Sequence, residues 1–187
     1  MALKLSAVGT LPVTLAEAKL HLRVEISTDD ALITTLISAA TQTAEQHIER
    51  SVSVNTWALK LDAFPAHEIR LLMPPIVSIT SVQYLDALAA NITMPTSAYV
   101  LDAHSEPGWL LPAANTEWPV TYDSANAVTI TYTAGYGASC PESIKAWILL
   151  RIGSLYENRE SVSVGQPIQA APHDFADGLL DRYKIYA

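Results

Sequence analysis

Five histidines, at 21, 47, 67, 104 and 173, one cysteine, Cys140, and two close acidic pairs, Asp29–Asp30 and Glu45 with Glu49, are the residues of this 187-residue chain best suited to chemistry. The histidines are scattered and lack the short, repeated spacings of a metal site. Cys140 lies at a predicted helix start, where the dipole could stabilise a thiolate; a small residue in a cap region explains it more simply. A lone cysteine can form no intrachain disulfide. The acidic pairs could exchange protons with a substrate, but a charged helix surface accounts for them at less cost. GxGxxG, GxxxxGK[ST], HExxH and CxxC patterns are missing. The "AGYG" at 134–137 follows a predicted strand as a turn, with no phosphate-loop lysine beside it. These residues call for no enzyme, cofactor or metal, and the chain is expected to do its work through surfaces.

Those surfaces are unevenly charged. The formal charge is −8, and no lysine or arginine occurs from Leu71 to Ile144, where Asp86, Asp102, Glu106, Glu117, Asp123 and Glu142 all stand. Gripping nucleic acid needs clustered cations that release counterions from phosphates. This middle stretch would repel DNA; it is either a solvating surface or one meant to lie near DNA without sticking to it. The first ten residues have no long apolar core and do not form a signal peptide. No apolar run reaches the roughly 20 residues of a membrane helix, and folding in a reducing cytoplasm is expected.

Three segments read as helices. In "PVTLAEAKLHLRV", Thr14 and Glu17 fit a capping box, each side chain answering a free backbone N–H of the first turn. In the next, Ser27 or Thr28 suits the N-cap, Asp29 and Asp30 suit the positive end of the dipole, and Leu32, Ile33, Leu36, Ile37, Ala40, Ala44 and Ile48 recur at helical steps. His47 falls on that apolar face and is read as a core or interface histidine. The small pair Ala40 and Ala44 would let another helix approach closely. After Ser51 the period changes to two. "NTWALKLDAFP", "EIRLLMPP", "IVSITSVQYLD", "TSAYVLDA", "GWLLPA" and "AVTITYTAGYG" give five or six short strands, punctuated by prolines as in a small antiparallel sheet. Residues 1–51 are thus assigned to N-terminal helices, 52–138 to an inserted β subdomain, 139–160 to a long helix and 161–187 to an extended tail. The expected class is α+β.

The long helix is unusual. At 100° per residue, Ile144, Ile148, Ile152 and Leu155 form one stripe, with Trp147 and Leu150 on one flank and Leu149 and Tyr156 on the other. Such a helix is buried on more than one side, by the first two helices and then by the β subdomain or a neighbouring subunit. Arg151 lies within this stripe. It either reaches out to water along its aliphatic stem or pairs with an acid such as Asp30, Glu45 or Glu49, or with one from an adjacent subunit, because a buried unpaired guanidinium is costly.

The order of these segments resembles the head–tail connector (adaptor, or head-completion) proteins of long-tailed bacteriophages and prophages. The resemblance runs over about residues 12–184. It rests on "PVTLAEAKLHLRVEISTDDALITTLISAATQTAEQHIER", "WALKLDAFP", "LLMPPIVSITSVQYLD", the "WP" at 118–119, "VTITYTAGYG", "CPESIKAWILLRIGSLYENRE" and "LLDRYK". It implies a small helical bundle with a β insert. It also implies a ring, usually twelve-fold in such proteins, joining the portal to a tail-side neck (stopper) protein, extending the DNA channel in the virion neck after assembly in the host cytoplasm. No cofactor, membrane or specific nucleic-acid partner is implied. On this reading the subunit and partner interfaces draw on Trp147, Leu150, Arg151 and Tyr156 of the long helix. They also draw on Phe175, Leu179, Leu180, Arg182 and Tyr183 of the tail, an arm that orders only on its partner. The alternative reading is a binding module, in which the β insert holds a carbohydrate or peptide on Tyr84, Tyr99, Trp109 and Trp118.

Overall fold

The computed structural model describes residues 1–158 and 176–185. The fold is α+β, with three α-helices and antiparallel strands in two sheets among the described residues. The chain divides into two compact units. The first takes Met1–Thr10 with Ser53–Gly135, the second Leu11–Val52 with Tyr136–Ala187.

The first unit is all β. Its strands are β1 (Ala2–Ala7), β2 (Asn55–Leu61), β3 (Ile69–Leu71), β4 (Ile76–Leu85), β5 (Asn91–Thr93), β6 (Tyr99–Asp102), β7 (Gly108–Pro112) and β8 (Val128–Ala134). One sheet runs β1-β2-β8-β4-β5 and the other β3-β7-β6, with antiparallel pairing throughout. Period-two patterning explains why β8 lies at the centre of the larger sheet. Val128, Ile130, Tyr132 and Ala134 are buried while the threonines between them are half-exposed, the alternation of a strand with one face on a core. Leu59, Leu71, Val82 and Leu110 complete that core from both sheets. Of two register shifts in β4 against β8, the one between Ile76 and Ser78 leaves Val77 out of the pairing and 55 % exposed.

The N-terminus departs from the sequence reading. Residues 2–7 do not lead into the helices but pair along β2, with Leu3 opposite Leu59 and Leu5 opposite Trp57. Two alternating leucines are too short a pattern to announce a strand without its partner. The insert itself holds seven strands; the one missing from the sequence reading is β5, three exposed residues too brief for a period to show. Two glycines permit a tight crossing. A Cβ on Gly9 would lie 1.7 Å from the Val54 carbonyl oxygen, and one on Gly135 (φ 135°) would lie 1.9 Å from that of Ser53. The Gly9 N–H donates to Oδ1 of the buried Asn55 at 3.1 Å.

The second unit is helical, with α1 (Leu15–Leu22), α2 (Asp30–Ile48) and α3 (Glu142–Glu157). The capping box forms at α1. The Thr14 N–H donates to Glu17 Oε2 at 2.7 Å, and the Glu17 N–H donates to Thr14 Oγ1 at 3.2 Å. The Thr14 hydroxyl in turn donates to Glu17 Oε2 at 2.7 Å, and that bond is the main cause holding the Glu17 carboxyl below its ordinary range. At α2 the N-cap is Asp29, one residue beyond the expected pair, and its carboxylate accepts from the Tyr156 hydroxyl instead of capping the helix. Ile33, Ile37, Ala40, Ala44 and Ile48 are buried against α3. His47 is exposed, not in the core. At the helix end the curve of the chain turns Glu45 inward instead, where its Oε1 accepts from the Val52 N–H at 2.8 Å.

Candidate functional site

With no catalytic constellation in the sequence, the candidate site is the surface of α3 and the C-terminal residues beside it. On α3, Ile144, Trp147, Ile148 and Ile152 are buried, Leu149, Leu155 and Tyr156 are half-buried, and Leu150 is 44 % exposed. The unit therefore hides most of the apolar circumference by itself, using α1, α2 and residues 176–185. Arg151 is exposed and makes no ion pair among the described residues. Its carboxylate candidates are otherwise engaged or remote. Asp30 pairs with Lys19 at 2.6 Å, Glu45 is turned to Val52, and Glu49 is exposed in the left-handed C-cap of α2. Within its own chain the guanidinium therefore faces water and pairs with none of these three acids.

Residues 176–185 do not stand away as an arm. Leu180 is fully buried in the helical core, and Ala176, Leu179 and Tyr183 pack against it. Polar contacts fix the segment. The Trp147 indole N–H donates to Asp177 Oδ1 at 3.1 Å, and the Ile185 N–H donates to the Ile48 carbonyl at 3.1 Å, where α2 ends. The Ser143 hydroxyl reaches the Tyr183 hydroxyl at 3.4 Å. The guanidinium of Arg50, itself buried, donates through Nε to the Tyr183 carbonyl and through Nη1 to the Tyr136 hydroxyl. Apolar side chains with no helical period in their own stretch gave no sign of this docking. The sequence signals that could have are Trp147, a polar-tipped ring beside the apolar stripe of α3, and Arg50, a charge just past the end of α2, both of which need partners when buried.

The predicted interface residues thus separate. Leu150, Arg151 and Arg182 face solvent, and Tyr156, Leu179 and Tyr183 are partly exposed. Trp147 and Leu180 are buried in their own unit and hold the C-terminal segment down. Phe175, like most of the stretch read as an extended tail, lies outside the described residues.

The remaining chemical candidates are not gathered. Among the described residues no three His, Cys, Asp or Glu side chains lie close enough to share a metal ion, and no helix is long and apolar enough to cross a membrane. Cys140 is buried, and burial is the main reason its thiol is pushed up to about 11; it is no activated nucleophile. The four aromatics proposed as a ligand platform fall in two places. Tyr84 meets Phe64 edge-on at 5.6 Å and Trp118 stacks on Phe64 at 4.9 Å, whereas Tyr99 and Trp109 belong to β6 and β7 of the smaller sheet.

Comparisons with known proteins bear on this arrangement. Residues 12–75 match the family of phage gp6-like head–tail connector proteins. The whole fold is similar to a chain in the neck of an empty gene transfer agent particle computed with C6 symmetry, with a TM-score of 0.80 and 21 % identity over 100 % of this chain and 97 % of that one. A chain in the virion of the native gene transfer agent particle gives a TM-score of 0.80 at 20 % identity, with the same coverage. One in the neck of the native particle computed with C12 symmetry gives 0.76 at 21 %, again over 100 % and 97 %. No curated protein matches the sequence. The resemblance to head–tail connectors seen in the residue order is present in the family pattern of residues 12–75, and the full chain shares the fold of these neck and virion chains.

Proposed function

We propose that this chain is a structural protein of a virion neck, a ring-forming adaptor between the portal and the tail-side neck protein. On this reading it extends the DNA channel during head completion and tail joining and performs no catalysis. The observation that carries the proposal is the fold. All of this chain superimposes on 97 % of a neck chain at a TM-score of 0.80, so both units have counterparts there. The connector-family match over residues 12–75 supports it independently of three-dimensional similarity. A ring of twelve copies is the assembly we favour, since one of the similar chains comes from a neck computed with C12 symmetry.

The residues fit such a role. Leu150 and Arg151, exposed and adjacent on α3, offer an apolar contact beside a charge, suited to a neighbouring copy. Arg182, exposed on the docked C-terminal turn, lies where a portal or a second copy could meet it. The stretch without lysine or arginine between Leu71 and Ile144 gives a passing duplex nothing to adhere to.

The test is reconstitution. The chain is mixed with the portal protein encoded in the same genome and imaged by electron microscopy at micromolar concentration. A ring seated on one end of the portal is the expected result, lost on Leu150→Asp combined with Arg151→Glu while the fold persists by circular dichroism. Failure of the wild-type chain to bind the portal or to add to portal-bearing capsids would refute the assignment.

A further inference from the structure

The β unit contains a feature that the adaptor reading does not use. A groove of about 1070 Å³ runs between residues 63–68, which lead into β3, and residues 111–121, which follow β7. That lies just above the ~300–1,000 Å³ range of small-molecule sites, room for several residues of a peptide. Its aromatic lining is held in place before anything binds. Trp118 stacks on Phe64 with 4° between the rings, and its indole N–H donates to the His67 carbonyl, so neither χ angle is free. Val120 borders the groove with 81 % of its surface exposed, an apolar side chain with nothing over it.

Charge selects the occupant. Glu68 and Glu117 line the groove, both exposed, and neither has an ion-pair partner among the described residues. No lining residue is a lysine or arginine. Two carboxylates without an ion-pair partner, beside a half-buried indole and an exposed apolar rim, match a guanidinium or ammonium that meets a carboxylate with its aliphatic stem against the indole edge. A phosphate backbone is repelled by the same carboxylates, and a sugar would use the ring but leave the charges unanswered.

We infer that this groove docks an extended segment of another protein, one that alternates lysine or arginine with apolar side chains. The inference does not depend on ring formation, since every residue it uses lies in the β unit. The experiment uses the full chain, labelled with 15N in its tryptophans, and the hexapeptide Arg-Leu-Arg-Val-Arg-Leu as probe. The Trp118 indole resonance is assigned by its loss in Trp118→Phe. A saturable shift of that resonance is expected, weakened by salt and weakened at least tenfold in Glu68→Gln/Glu117→Gln, whose exposed sites leave the fold alone. The peptide with glutamate in place of arginine should leave it unmoved. An unmoved resonance with the cationic peptide, an equal shift in the double variant, or a shift only with a panel of oligosaccharides would each overturn the inference.

Discussion

In the β unit, segments that are themselves apolar at period two meet across strands and close the core. Tyr132 on β8 is the one large polar-tipped side chain fully buried there, and its hydroxyl donates to the Leu72 carbonyl at 2.8 Å. The helical unit closes differently. Its helices leave a gap that is filled by Leu180 and held by Arg50, Trp147 and the end of α2, all through a segment distant in sequence. One core is a repeated local pattern, the other depends on a few long-range polar anchors. The difference explains why the strands were legible in outline and the C-terminal docking was not.

The sharpest way to break this contrast is to remove residues 176–187. Burying Leu180 alone is worth about 1.5–3 kcal/mol, and with the partly buried Leu179 and Tyr183 and the anchoring bonds the loss should reach ~3–5 kcal/mol. Denaturant unfolding should show the lower midpoint, and hydrogen exchange should quicken in α2 and α3 but not in β8. A midpoint equal to the parent's would mean that the segment is no part of the helical core. In the β unit the corresponding blow is Gly135→Ala. A Cβ 1.9 Å from the Ser53 carbonyl at a φ of 135° cannot be accommodated without moving backbone, and a cost of ~3 kcal/mol is expected, this time with faster exchange in β2 and β8.

Alkaline pH should weaken both units to a smaller extent. Burial raises the Cys140 thiol from its usual 9.0 to about 11, and burial likewise raises the Tyr132 phenol. A group whose pKa is raised in the fold favours its neutral form there, so its stability contribution is intact below the unfolded pKa and lost as pH climbs through the folded one. For Cys140 the loss runs from about pH 9 to about 11; for Tyr132 it starts near pH 10. Unfolding midpoints from pH 8 to 10.5 should fall, and Cys140→Ala should remove the earlier part of the decline. A pH-independent midpoint would show that neither group is buried in solution. The smallest effect belongs to Arg151→Ala. With the side chain in water and no carboxylate beside it, stability should change by less than about 0.5 kcal/mol. A larger drop in the melting midpoint would place the guanidinium in an intramolecular contact, and a loss confined to ring assembly would place it between subunits.

Local chemistry was readable where a residue's partners lie within a turn of helix or along one strand. Thr14 with Glu17, the buried stripe of α2 and the alternation of β8 are all visible in the string of residues because each is a short-range pattern. Of the candidate interface, the helical period put Leu150 on a flank and Arg151 inside the apolar stripe, whereas both are exposed in the fold. The sequence could not say that α3 would be largely covered from within, because the cover beyond α1 and α2 comes from residues 176–185, whose own stretch carries no period.

What the sequence alone determined, then, is the α+β class, the helix and strand identities set by period and caps, and the acidic, cation-free middle of the chain. Only the tertiary structure decided that residues 2–7 belong to the β sheet, that His47 faces out while Glu45 turns in, and that Trp147 and Leu180 serve the chain's own core. The physical reason is range. Period and capping are written in neighbours, whereas strand partnership and the docking of a chain end depend on which distant groups can satisfy one buried hydrogen bond or fill one gap.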